Sequence, residues 1–270
     1  MSIQINYKGN FGNKIFEYFT ALIYAKKHNL LLITPPPSNL KLFEIKYDYF
    51  DEFNDNLQNM TINGSHYEND NLVFYGNKNY IFNDFFQNAN YLNDNFYYLE
   101  NIITIKPYCN KINYNISDDD LLCILRMGDF KHNDLTNVHE VVHPNFFLKI
   151  AKEYNYKNLY FMIYPLDDPC INEYLSYFSD YNLTILKEIE DELFSYNVVN
   201  YFKNIAYTNS TFHWWPIYFC KNITEKNIYA SKFIGFFEKD GEIICHGKHI
   251  KDLANIRNNT IIMDNTFIKI

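Results

Sequence analysis

The residues best suited to do chemistry gather in three short stretches. Residues 121–130 read LLCILRMGDF, an apolar run that ends in Arg126, Met127, Gly128 and Asp129. Such a run, without alternation, predicts a strand buried on both faces, as in a parallel sheet. Open α/β sheets bind ligands just beyond the carboxyl ends of such strands. Arg126 is the residue type for bidentate phosphate recognition, and Gly128 would let a phosphate come close. Asp129 could accept a hydroxyl or orient the guanidinium; the plainer reading is an Arg126–Asp129 pair. Residues 8–13, KGNFGN, lie between an expected strand and an expected helix. Gly9 and Gly12 there allow close approach of an anion to backbone amides, with Asn13 as an alternative plain helix cap. Residues 208–219, TNSTFHWWPIYF, place Asn209, Ser210 and Thr211 at a helix start. They form either a phosphate seat or an N-cap, with Phe212, Trp214 and Trp215 expected in the core and His213 either packed or catalytic.

These stretches need elements to hold them. Residues 2–7 predict a first strand, residues 14–27 a helix with apolar positions at helical spacing, and residues 30–34 a short strand stopped by three prolines. Beyond residue 115 the pattern is regular. Strands at 121–125, 159–164, 183–186 and 205–208 alternate with helices at 144–154, 169–178, 191–203 and 211–220. Alternation of this kind predicts βαβ units and a parallel sheet. The tail, with GEIICH and TIIMD, suits edge strands or a closing hairpin. Asp118, Asp119 and Asp120 precede the strand and read as a solvated loop. Two domains are expected, 1–114 and 115–270, the second Rossmann-like.

Composition narrows the class. The chain has 270 residues, is 47% hydrophobic and 19% aromatic, and carries a net charge of −8. It can build real cores, and its charge argues against a nucleic-acid partner, which needs clustered Lys and Arg. Five cysteines, widely spaced and without a CxxC pair, read as reduced thiols rather than a disulfide framework or zinc site. No apolar run is long enough to span a membrane and none resembles a signal region, so the expectation is a soluble, cytoplasmic protein. The glycine fingerprint of dinucleotide-binding oxidoreductases is missing.

Together the three stretches resemble the family 11 glycosyltransferases, typified by α-1,2-fucosyltransferases. That family carries an opening loop of the form GGLGNQMFQY, a central HxRRGDY and a late SNSSFSWW. Here they stand, in the same order, as GNFGNKIFEY (9–18), ILRMGDF (124–130) and TNSTFHWW (208–215). Val142-His143-Pro144 and the YPLDDP of residues 164–169 are similar to further family features. The resemblance implies a GT-B-like α/β architecture of two Rossmann-type halves with mostly parallel sheets. It implies inverting, metal-independent transfer of L-fucose from GDP-β-L-fucose to a glycan hydroxyl, with the GDP-sugar as donor substrate and no resident cofactor. By position, Arg126 would clamp the diphosphate, Asn13 with Gly12 would face the donor phosphates, and Asp129 matches the motif aspartate. Ser210 and Thr211, flanked by Asn209 and Phe212, would bind the β-phosphate at the helix start. Asp129 and Glu17 are the candidates for a general base. The chain departs from the family at Ile124 and Met127, where a histidine and a second arginine are expected, and at His213, where a serine is expected. Another nucleotide-sugar donor, or a non-catalytic binding relic, are the alternatives these departures raise.

Overall fold

The protein, a computed structural model, is described for residues 1–47, 56–63, 72–127, 141–208, 210–231, 236–239, 242–245, 256–257, 259–263 and 267–268. Gly128, Asp129 and Asn209 lie outside the described residues. The chain divides into two compact units, Met1–Lys106 and Pro107–Ile270.

The first unit opens with β1 (Ser2–Ile5), α1 (Phe11–His28) and β2 (Leu31–Leu32). With β4 (Asn59–Ile62) and β5 (Asn79–Phe82) they give a parallel sheet in the order β2-β1-β5-β4. A separate antiparallel pair joins β3 (Phe43–Ile45) to β6 (Ile103–Ile105), with α2 (Ala89–Asp94) and α3 (Phe96–Ile102) preceding β6. Ile15, Phe16, Phe19, Leu22 and Ile23, the positions that signalled a helix, are all buried in α1. The helix begins earlier than its apolar spacing suggests. Asn10 takes an extended conformation, and its carbonyl accepts from the Asn13 and Lys14 amides at 3.0 and 3.2 Å. Asn10 is therefore the N-cap residue, and Asn13 is not the cap but part of the first turn. At the other end Asn29 closes the helix with φ of 52°, a left-handed conformation that asparagine tolerates.

The second unit is built around β7 (Leu121–Arg126), β9 (Asn158–Tyr164), β10 (Asn182–Ile185), β11 (Asn204–Tyr207), β12 (Asn227–Ser231) and β15 (Thr260–Met263). All pair in parallel, in the order β10-β9-β7-β11-β12-β15. Ranked by chain position, that order is 3-2-1-4-5-6, the doubly wound Rossmann order. Helices α4 (Asn145–Glu153), α5 (Ile171–Ser176), α6 (Glu192–Val198) and α7 (Thr211–Tyr218) fall between the strands where the apolar spacing predicts them. The tail supplies both expected features. Strands β13 (Phe236–Lys239) and β14 (Glu242–Cys245) form an antiparallel hairpin, and β15 is the sheet's edge strand. Strand β8 (Val141–Val142) pairs antiparallel with β16 (Phe267–Ile268).

Residues 121 to 125 are wholly buried, as a central parallel strand requires. Each such side chain contributes about 1.5–3 kcal/mol of apolar burial. Trp214 and Trp215 are core residues, while Phe212 is only half-buried rather than part of that core. One expectation about the loop before β7 is wrong in part. Asp120 is not solvated: it is buried, accepts the Ser117 amide at 2.7 Å and accepts the Asn158 side-chain amide at 2.7 Å. It ties the start of β7 to the start of β9, whereas Asp118 stays exposed beside Lys203. Among the described residues Cys109, Cys123, Cys170 and Cys220 are unbridged thiols, and no helix is long and apolar enough to cross a membrane.

Candidate functional site

Strand order decides where a ligand would sit in the second unit. In the 3-2-1-4-5-6 arrangement the chain winds outward in opposite senses from β7 and β11, and open α/β sheets of this order take ligands beyond the carboxyl ends of the strands at that switch point. Arg126 is the last residue of β7. Its neighbours are the ends of the two flanking strands. On one side its backbone N–H reaches the Thr208 hydroxyl at 3.4 Å. On the other, the Met127 amide donates to the Tyr164 carbonyl at 2.8 Å, and the Arg126 guanidinium lies 4.3 Å from the centre of the Tyr164 ring. Stacking on an aromatic face holds a guanidinium in one orientation at little electrostatic cost.

Helix α7 starts from the same place. Ser210 is its N-cap, extended at φ −98° and ψ 117°, and makes no side-chain capping bond. The Ser210 carbonyl accepts the Trp214 amide at 3.1 Å, which sets the first turn. The first turn carries no acidic side chain. A helix N-terminus presents partial positive charge and outward-pointing amides to an anion. Arg126, the buried Thr208 and Ser210, and the N-terminus of α7 thus share the carboxyl end of the sheet around the β7–β11 switch point.

His213 belongs to that same turn. Its side chain is buried, and its Nδ1 has no hydrogen-bond partner among the described residues. Burial, reinforced by the Arg126 charge, drives its pKa down from 6.5 to about 3. The imidazole is accordingly neutral at physiological pH, with one nitrogen as donor and one as acceptor.

In the first unit β1 and β5 end side by side. The Asn6 amide donates to the Phe82 carbonyl at 2.8 Å, and Lys8 Nζ donates to the Asn83 carbonyl at 2.8 Å. Gly9 has φ of +66°, and a Cβ there would lie 2.4 Å from Asn13 Nδ2 and 2.9 Å from the Phe85 ring. Glycine is needed both for the conformation and for the space. Asn13 is held from its other side, its Oδ1 accepting Gln87 Nε2 at 2.7 Å. Beneath this turn Glu17 is wholly buried, both carboxylate oxygens accepting the Lys8 amide at 3.1 Å. Burial, with a smaller push from Asp84, raises its pKa to about 8 against the opposing Lys8 amide and the Lys14 and Lys8 charges. Burial next to Tyr18 and Glu17 likewise pushes the Tyr7 phenol far above its usual range.

No family model, curated protein or solved structure matches the chain. The structure brings Arg126, Ser210, Thr211 and Phe212 into one neighbourhood of the second unit, and sets Gly12 and Asn13 in the first turn of α1 in the first unit. Ile124 and Met127 are wholly buried in the apolar interior. Among the described residues, no group of His, Cys, Asp and Glu is arranged to hold a metal ion.

Several participants were not among the expected site residues. Thr208 and Tyr164 support Arg126 only because parallel pairing brings their strand ends beside it, and their shared position at the carboxyl ends of predicted strands was the available signal. Gln87 carries no local signal at all, since its partner Asn13 is 74 residues away.

Proposed function

We propose that the protein is a glycosyltransferase that binds a nucleotide sugar through its diphosphate at Arg126 and moves the sugar to a glycan hydroxyl. Arg126 at the point where strand order reverses, beside the α7 N-terminus, carries this reading. The motif resemblance supplies the donor, GDP-β-L-fucose, an inverting and metal-independent reaction, and a GT-B-like plan of two Rossmann-type halves. Breaking the sugar–phosphate bond leaves negative charge on the departing diphosphate and positive character on the sugar. A fixed guanidinium and oriented amides stabilise that developing charge without reorganising, which is electrostatic catalysis. Tyr164 would keep the guanidinium in place as the charge grows.

The burial of Ile124 and Met127 favours a second reading, a nucleotide- or carbohydrate-binding relic with no transfer activity. One set of experiments separates the two. Titration calorimetry with GDP, with UDP and ADP as controls and at several magnesium concentrations, should show magnesium-independent binding of GDP. Arg126→Ala should weaken it at least about 100-fold, as expected for a charge-assisted bidentate contact. Slow release of fucose from GDP-β-L-fucose without acceptor would mark an enzyme, and binding without hydrolysis the relic. Unchanged GDP affinity in Arg126→Ala sinks the diphosphate site, and with it both the transferase and the nucleotide-binding relic.

A further inference from the structure

The inference below rests on the diphosphate reading just given and adds a residue to it. We propose that His213 is a ligand-contacting residue, its Nδ1–H donating a hydrogen bond to an oxygen of the phosphate group held beside Arg126. Three observations converge. His213 sits in the first turn of α7, the helix whose N-terminus lies at the switch point. Its imidazole is 2% exposed, yet Nδ1 meets no acceptor or donor among the described residues. The Arg126 charge is close enough to act on the ring.

An orphaned polar atom at that depth forfeits its hydrogen bonds to water without replacement, and native interiors rarely keep one without a use. Packing does not supply the use, because a leucine would fill similar space with no such penalty. A bound anion does. Its oxygen satisfies the Nδ1–H and offsets the guanidinium charge that disfavours any positive ring. With Met127 turned into the core, the imidazole supplies a donor where the site otherwise relies on Arg126, Ser210 and Thr211, and does so without adding charge.

The test compares wild type with His213→Leu and His213→Asn, using GDP and inorganic pyrophosphate as probes in titration calorimetry. His213→Leu should bind both about 10- to 100-fold more weakly, the range for a hydrogen bond to a charged group. Its thermal midpoint should hold or rise, because the orphaned nitrogen has gone; a residue that served only structure would lose both together. His213→Asn places an amide near the Nδ1 position and should recover affinity to within about threefold, the gap left by imperfect geometry. If His213→Leu binds as wild type does, the inference fails, while loss of binding in Arg126→Ala keeps the diphosphate reading. If wild type binds neither probe, that reading fails and takes this one with it. Should His213→Leu not fold, ¹⁵N spectra of the wild-type imidazoles decide: pyrophosphate should shift the His213 Nδ1 signal, and an unmoved signal overturns the proposal.

Discussion

The two units answer the same structural problem in opposite ways. Each leads a parallel strand into a helix, α1 or α7, and each buries an ionisable side chain near that helix start. In the first unit it is Glu17, with both oxygens on the Lys8 amide. In the second it is His213, with Nδ1 on nothing described. A partnered buried group is explained by the fold it braces, here the turn that carries Gly9 and Asn13. An unpartnered one leaves a cost with no structural return, and so points outward to a ligand. The two also carry opposite pH signatures, since burial removes charge from an acid and from a base by shifting their pKa in opposite directions.

The largest effect should come from acid. His213 holds a pKa of about 3 in the folded state against 6.5 unfolded, so its contribution is present above pH 6.5 and is lost as pH falls toward 3. A loss of about 3–5 kcal/mol is expected across that window. Both tryptophans of the chain, Trp214 and Trp215, lie in the second unit, so their fluorescence during unfolding reports it. His213→Leu should flatten the acid limb. An acid limb unchanged in that variant breaks the contrast.

Glu17 should give the opposite slope in the first unit. Its folded pKa of about 8 exceeds the ordinary carboxylate value, so stability is greatest at low pH and declines as pH rises to about 8. After allowance for solvent screening the decline is on the order of 1–3 kcal/mol. Glu17→Gln keeps a carbonyl for the Lys8 amide and should abolish the slope, read by hydrogen exchange of α1 amides at pH 5 and pH 8. Persistence of the slope would place the titrating group elsewhere.

Smaller effects sharpen the geometry around each group. Gly9→Ala should cost about 1–2 kcal/mol from its positive φ and the crowding at Asn13, checked by denaturant unfolding of the first unit. Tyr164→Leu removes the platform under Arg126 and should cost about 0.5–1 kcal/mol, visible in the tryptophan signal. GDP affinity should fall in Tyr164→Leu by less than in Arg126→Ala.

Much of this architecture was legible locally. The unbroken apolar run before Arg126 announced a doubly buried strand, and the 3.6-residue spacing of Ile15, Phe16, Phe19 and Leu22 announced α1. The candidate site was readable only as a placement at strand ends and helix starts, where an open sheet leaves amides and cations without ladder partners, as at Arg126, Ser210 and Thr211. Residues 35–115 were harder. Strands β4 and β5 are four residues each, and their order beside β1 depends on chain segments far apart. Asp120 misled because three adjacent carboxylates look solvated until two strand starts close around one of them.

By itself the sequence determined the class of elements, the alternation of strand and helix in the second unit, and the placing of a cation where a buried strand ends. Those are consequences of side-chain periodicity and turn chemistry, which act over a few residues. Tertiary structure alone decided that Thr208 stands beside Arg126 across 82 residues, that Tyr164 lies under its guanidinium, and that His213 is buried with an Nδ1 unpartnered among the described residues. Adjacency of parallel strands arises from the packing of distant segments, and burial of a single ring nitrogen from everything that closes over it.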